Sequence, residues 1–346
     1  MTSSWRRIAA GLTVAAGLVV AGCAQDPLTS GSSSSPKASS SPSASASAST
    51  SSHSTAPLTG LWATSTSAAA KPAVALDLAG PDPQGLTSAD VVFELATSPV
   101  HYIAVYQSRL TATAGPVTTT QPADRQILAV LHPLLGYDGA ALPYFLKLLD
   151  NGNSKTIDAG YSRYASAYTA TSTGVSTTPQ ALVNAVSGNT APPPLFPYRS
   201  TASGVRTLAS TGVFRPTSVG VTMPGEAAED WTFSSHSDRW TLTSGGPQVS
   251  VANLVVQRVS YKDIGVNRRH GIVLPNPNVT GSGGVEVFSG SASGDSGGTA
   301  ASGTWSKPHT SSVTNYFDSS GHQMAFQTGP TWVIFAPPGT QISTSK

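Results

Sequence analysis

Two acids stand inside the apolar run Asp90-Val91-Val92-Phe93-Glu94-Leu95. An acid in such a setting must be paired, exposed or functional, because an isolated buried carboxylate is costly. Four residues along a strand span about 13 Å, beyond the roughly 5 to 9.5 Å that separates the carboxyl pair of a glycosidase, so Asp90 and Glu94 cannot form a dyad by themselves. Each needs a partner from elsewhere, and Asp77 and Asp138 are the nearest candidates along the chain. The residues favour a structural or ligand-positioning role for Glu94 over general acid/base catalysis.

Other catalytic signals fail on their own terms. Gly294-Asp295-Ser296-Gly297-Gly298 spells the surroundings of a trypsin-like nucleophile, but it lies in a run of Ser, Gly, Ala, Asp and Thr between two strand-like segments. Such a run reads as a hairpin loop, and none of the 7 histidines stands where a protease triad needs it. The histidines show no i, i+4 pair and no spacing of a zinc-binding helix, so no metal and no cofactor is expected from spacing. Trp305 and Trp332 sit among apolar neighbours and read as core. Trp231 and Trp240 flank a polar turn and read as exposed aromatic contacts.

The remaining reactive residue is the single cysteine, at the end of Leu18-Val19-Val20-Ala21-Gly22-Cys23. Arg6 and Arg7 precede an apolar stretch at residues 8–20 that is too short to span a bilayer. This is the pattern of a lipoprotein signal peptide over residues 1–22, with Cys23 as the acylated first residue of the mature chain. Residues 23–56 are rich in Ser, Ala and Pro and have almost nothing to bury, which predicts a disordered tether. Such a tether has an r.m.s. span of about 30 Å and a limit of about 110 Å. The expected address is the extracytoplasmic face of the cell membrane, held there by lipid on Cys23.

Composition narrows the partners. Only 10% of the 346 residues are charged and the net charge is +2. Arg268-Arg269-His270 is the longest basic feature, too short to track phosphates, and nucleic acid is excluded as a partner. With no cysteine after Cys23 there is no disulfide framework, and the fold rests on packing.

The elements that must position these residues follow from periodicity. Residues 73–78, 89–95 and 102–108 read as strands, with a turn at Gly115-Pro116-Val117. Pro122 with Ile127, Leu128 and Leu131 predicts one helix, and Leu142, Phe145, Leu146 and Leu149 a second. A third starts at the cap Thr178-Pro179 and ends at Gly188. Ten short strands are expected between residues 219 and 335, and nothing helical recurs there. The predicted class is α+β, with an N-terminal mixed α/β domain over residues 57–212 followed by a mostly β domain over residues 213–340.

Pro57-Leu58-Thr59-Gly60, the run from Gly85-Leu86-Thr87-Ser88 through Glu94, Ala104-Val105-Tyr106-Gln107-Ser108 and Gly115-Pro116-Val117 occur in an order that resembles the YerB-like lipoproteins. Val251-Ala252-Asn253-Leu254, Ser302-Gly303-Thr304-Trp305-Ser306-Lys307 and Gly329-Pro330-Thr331-Trp332-Val333 continue the resemblance to about residue 337. It implies an architecture in two parts of unknown function and an envelope location, and no established reaction. Where relatives usually have Thr-Arg, this chain has His101-Tyr102, and where they have Pro-Val-Arg-Ser-Ala-Arg it has Pro116-Val117-Thr118-Thr119-Thr120-Gln121. If those arginines bind an anion in relatives, the donors are missing here, although Arg125 lies one helical turn beyond Gln121. The candidate ligand-binding set is Asp90, Glu94, Gln121, Arg125 and Asp138, for a cell-wall ligand or an envelope protein. Two readings stand open: a binding protein without catalysis, using a cleft between its domains, or an envelope hydrolase or transferase using Glu94 with a second carboxylate.

Overall fold

The computed structural model describes residues 54–140, 154–199, 206–207, 214–267, 272–291 and 296–346. The signal peptide, Cys23, most of the tether, the expected helix around Leu142, Arg268-Arg269-His270 and Asp295 lie outside the described residues. The N-terminal half contributes β1 (Val74–Ala79), β2 (Val91–Leu95), β3 (His101–Tyr106), β4 (Ala114–Val117), β5 (Leu134–Tyr137), β6 (Lys155–Asp158), β7 (Tyr168–Thr171) and β8 (Gly174–Thr177). The C-terminal half adds β9 (Arg206–Thr207), β10 (Ser218–Thr222), β11 (Glu229–Ser234), β12 (Arg239–Ser244), β13 (Ser250–Val251), β14 (Asn253–Arg258), β15 (Tyr261–Asn267) and β16 (Ile272–Pro277). Then follow β17 (Gly281–Ser289), β18 (Thr299–Lys307), β19 (Asn315–Asp318), β20 (Met324–Ala325), β21 (Thr331–Ala336) and β22 (Gln341–Ser345).

The protein is mostly β, and its N-terminal part is also strand-rich. This corrects the expected mixed α/β domain. The apolar spacing at Ile127 and Leu128 is used by a helix of only 5 residues, Asp124–Leu128 (α2 after a short α1 at Thr66–Ala69), because Pro133 and strand β5 follow at once. Helix α3, Pro179–Ala185, does start at the expected cap, where the Thr178 hydroxyl accepts the Ala181 N–H at 3.2 Å. The expected turn at Gly115-Pro116-Val117 is part of β4, which tolerates its proline because it meets β1 at only one position, Leu78 opposite Val117. Among the described residues no helix is long and apolar enough to cross a membrane.

Topology joins the halves. Among the described residues the main sheet has 13 strands and runs β19-β18-β17-β14-β21-β2-β3-β1-β4-β8-β7, with β5 beside β1 and β6 beside β5. β21, from near the C-terminus, lies parallel to both β14 and β2, with Val333 opposite Val255 on one side and Phe93 on the other. The boundary expected at residues 212/213 therefore does not interrupt the sheet, and residues 51–346 form one compact unit.

Alternation along the central strands builds two cores. Val91, Phe93 and Leu95 pack with Val333, Phe335, Ile127 and Phe196 on one face. Val92, Tyr102, Ala104, Trp332 and Ile334 face the other way, against a second sheet of order β13-β12-β11-β10-β22. That second sheet points Trp231 and Trp240 inward, and both are fully buried. Their expected exposure is corrected by period-2 geometry: each shares the inner face with Phe233 or Leu242, while Asp230, Thr232 and the turn between β11 and β12 are outside.

Because β2 is covered on one edge by β21, a fragment ending at residue 199 would expose that edge and both adjoining core faces. Such a fragment is expected to aggregate or to show no cooperative melt, whereas the full chain melts in one transition by circular dichroism and calorimetry. A soluble fragment that melts cooperatively would contradict the shared sheet as a condition of folding.

Candidate functional site

The acids of the apolar run separate on folding. Asp90 is buried just before β2, and its Oδ2 accepts the backbone N–H groups of Gln107 at 2.6 Å and Ser108 at 2.7 Å. The Ser108 hydroxyl bonds its other oxygen. Burial pushes its carboxyl up, and these donors oppose the shift. Its oxygens are thus occupied in fixing the bend after β3.

Glu94 points to the opposite core from Phe93, where the Trp332 indole N–H donates to its Oε2 at 2.6 Å. Its partner is neither Asp77 nor Asp138 but Glu229 on β11, whose Oε2 accepts the Trp231 indole N–H at 3.1 Å. The two indole systems meet edge to face at 5.7 Å. Both carboxyls of this buried pair are held above the ordinary carboxylate range, so the pair keeps a proton where free acids would have lost it. Burial is the first cause for each, and the charge of Glu229 adds to it for Glu94.

A second cluster joins the sheet to α2. Asp77 of β1, His101 of β3 and Asp124 of α2 are buried, and one ligand atom from each lies within 4.8 Å of the others. His101 Nε2 lies 3.0 Å from Asp77 Oδ1, and Asp124 Oδ2 accepts the Gln121 backbone N–H at 2.7 Å. The Asp77 and Asp124 carboxyls lie side by side in this cluster, and the charge of Asp77 adds to the effect of burial on Asp124. Burial raises both and brings His101 down to about 4. One imidazole nitrogen and two carboxylate oxygens make this the group that could hold a cation among the described residues. Spacing could not show it, since two strands and a helix supply one residue each.

The other expected site residues gather at this end of the sheet, beyond the parallel strands β1 and β5. Thr118 N–H donates to the Asp77 carbonyl at 2.8 Å, and Asp138 N–H to the Thr118 carbonyl at 2.9 Å. Gln121 and Asp138 are half-buried and Arg125 is exposed. Gln121, Arg125 and Asp138 thus flank the Asp77–His101–Asp124 cluster, while Asp90 and Glu94 belong elsewhere.

A partly open cavity lies on the α2 side of the sheet, and about 30 Å³ of it admits the centre of a water molecule. Phe93 and Phe335 stack at 5.8 Å along one wall, and Phe196 and Tyr316 stack at 6.1 Å along another. Lys307 and Gln257 also line it. Lys307 is 3% exposed, and burial alone pulls its ammonium down to about 8. Sequence reasoning passed over Lys307, Gln257, Asp124 and Glu229. The signal for Lys307 was present, since it stands two residues after the buried Trp305 on the same strand face.

Two family models match the chain: the N-terminal domain of a protein of unknown function (DUF3048) over residues 58–189, and its C-terminal domain over residues 221–333. The chain belongs to this YerB-like family. The crystal structure of YerB protein from Bacillus subtilis superposes with a TM-score of 0.64 at 17% identity, covering 84% of this chain and 99% of that one. At that identity the likeness establishes the shared fold. No curated protein matches the sequence.

The proton kept by Glu94 and Glu229 makes stability depend on pH. A carboxyl raised in the folded state contributes stability that is complete below its unfolded value and is lost as pH rises through the folded one. The wild type is expected to lose stability between pH 5 and 8, by up to about 1.4 kcal/mol per pH unit for one retained proton. Glu94→Gln supplies an amide donor to Glu229 without that proton and should show a shallower slope in urea melts at the two pH values. Equal slopes would contradict the retained proton.

Proposed function

We propose that this family member is a lipid-anchored extracytoplasmic protein that binds a ligand within its folded body and performs no acid/base chemistry at Glu94. The observation that carries the binding reading is the cavity walled by both halves of the chain, with Phe93 and Ile127 from one and Gln257, Lys307, Tyr316 and Phe335 from the other. A largely apolar concave space with a few convergent polar groups is the usual form of a small-molecule site. It stands in place of the cleft between separate domains, because the shared sheet leaves the two halves packed across a common core.

The hydrolase reading loses its support. A glycosidase needs its two carboxyls apart, with substrate or water between them. Glu94 and Glu229 are in direct contact, buried beneath Trp231 and Trp332. The membrane attachment rests on the Leu18–Cys23 pattern, and the ligand would come from the cell wall or another envelope component.

Cys23→Ser is expected to move the protein from the membrane fraction to the soluble fraction and to abolish incorporation of labelled palmitate. Retention in the membrane with no label in the wild type would reject the anchor. Calorimetric titration of the full chain with cell-wall fragments and fractionated envelope extract is expected to yield a ligand, and its binding should weaken at least tenfold in Phe93→Ala. Binding that is unchanged by Phe93→Ala would place the ligand elsewhere.

A further inference from the structure

The polar groups of the cavity specify more than an apolar ligand. Gln257 is 1% exposed, and its side-chain oxygen accepts the Tyr316 hydroxyl at 2.9 Å, which leaves Nε2 buried with no acceptor. Lys307 lines the same cavity with its stem buried, and its ammonium, which has no hydrogen-bond or ion-pair partner among the described residues, keeps only an edge of contact with solvent. A buried donor without a partner costs about 1–3 kcal/mol, so Gln257 Nε2 calls for an acceptor that the protein does not supply, and the Lys307 ammonium in the same cavity favours an anionic one. The acidic clusters lie elsewhere: none of Asp77, Asp90, Glu94, Asp124 and Glu229 lines this space.

We propose that the cavity binds a small carboxylate with a short apolar body. The carboxylate oxygens accept hydrogen bonds from Lys307 Nζ and Gln257 Nε2, and the body lies against Phe93, Phe196 and Phe335. This rests on the binding reading and names its ligand class. An ammonium and an amide offer donors only on the sides free here, which selects an anion over a cation or an amine. Two donor groups match the two oxygens of a carboxylate, whereas a phosphate would bring a third oxygen and more charge into an aromatic enclosure. The open space, sufficient for about two waters, limits the occupant to a short or compact acid. Since the walls come from both halves, an occupant would also tie them together and raise the melting temperature.

The test uses the full chain in detergent, with formate and acetate as probes and the neutral formamide and acetamide as their isosteres. Titration calorimetry and thermal melts are expected to show at least tenfold tighter binding of an acid than of its amide and a melting temperature that rises with acid concentration. Lys307→Met should abolish the preference while leaving amide binding in place, and its own cooperative melt would show that it folds. Gln257→Leu, which keeps the lysine, should weaken the acid by severalfold. Acid and amide binding equally, or a preference that survives Lys307→Met, would overturn the carboxylate while leaving the cavity as a ligand site. Failure of every acid and amide to bind the wild type would overturn it as well, and the ligand reading of this cavity with it.

Discussion

The fold depends on β21, which enters the main sheet between β14 and β2 and runs parallel to both. All six of its residues are buried, so it is covered on both edges by ladders and on both faces by core. A parallel strand so enclosed cannot be hydrated in place of being paired, because each unmet backbone group would remain buried and unsatisfied. Its neighbour on one side belongs to the N-terminal half and on the other to the C-terminal half. Phe335 therefore completes one core against Phe93, and Trp332 completes the other against Tyr102 and Trp231.

That placement also governs how a chain with few charges handles those it buries. Trp332 arrives with an indole N–H aimed at Glu94, and β11 brings Glu229 and Trp231 to the same spot. Each carboxyl gains a donor, and the excess negative charge is relieved by a proton. Asp90 is met by two backbone N–H groups and a hydroxyl, which is the least costly solution for a carboxylate. Asp77 and Asp124 meet each other and His101. Lys307 and Gln257 differ from these acids in being donors, and both line the cavity, where Gln257 Nε2 is buried with no acceptor.

This contrast separates structural polarity from the polarity of a site. A buried polar network that spans two elements fixes their register. Here one network locks the second sheet onto the main one, and the other locks α2 onto the ends of β1 and β3. The cavity lies between these anchored elements, so its aromatic walls belong to strands that cannot shift without disturbing a buried network.

The sequence by itself determined the strands with clean alternation, the capped helix at Thr178-Pro179, the burial of Trp305 and Trp332 and the membership of the family. These are local properties: period-2 patterning, a cap and ordered motifs are legible over a few residues. It also established that Asp90 and Glu94 are not a dyad, since distance along a strand is fixed by backbone geometry. Only the tertiary structure decided that the two halves share a sheet, because pairing β21 with β2 joins residues some 240 positions apart and no local pattern encodes it. For the same reason Glu229 emerged as the partner of Glu94, Asp124 as the partner of Asp77, and Trp231 and Trp240 as core rather than surface. Lys307 was legible as inward-facing from its parity with Trp305, but whether an inward lysine meets an acid or an empty space depends on which strands close around it, and that is settled by packing.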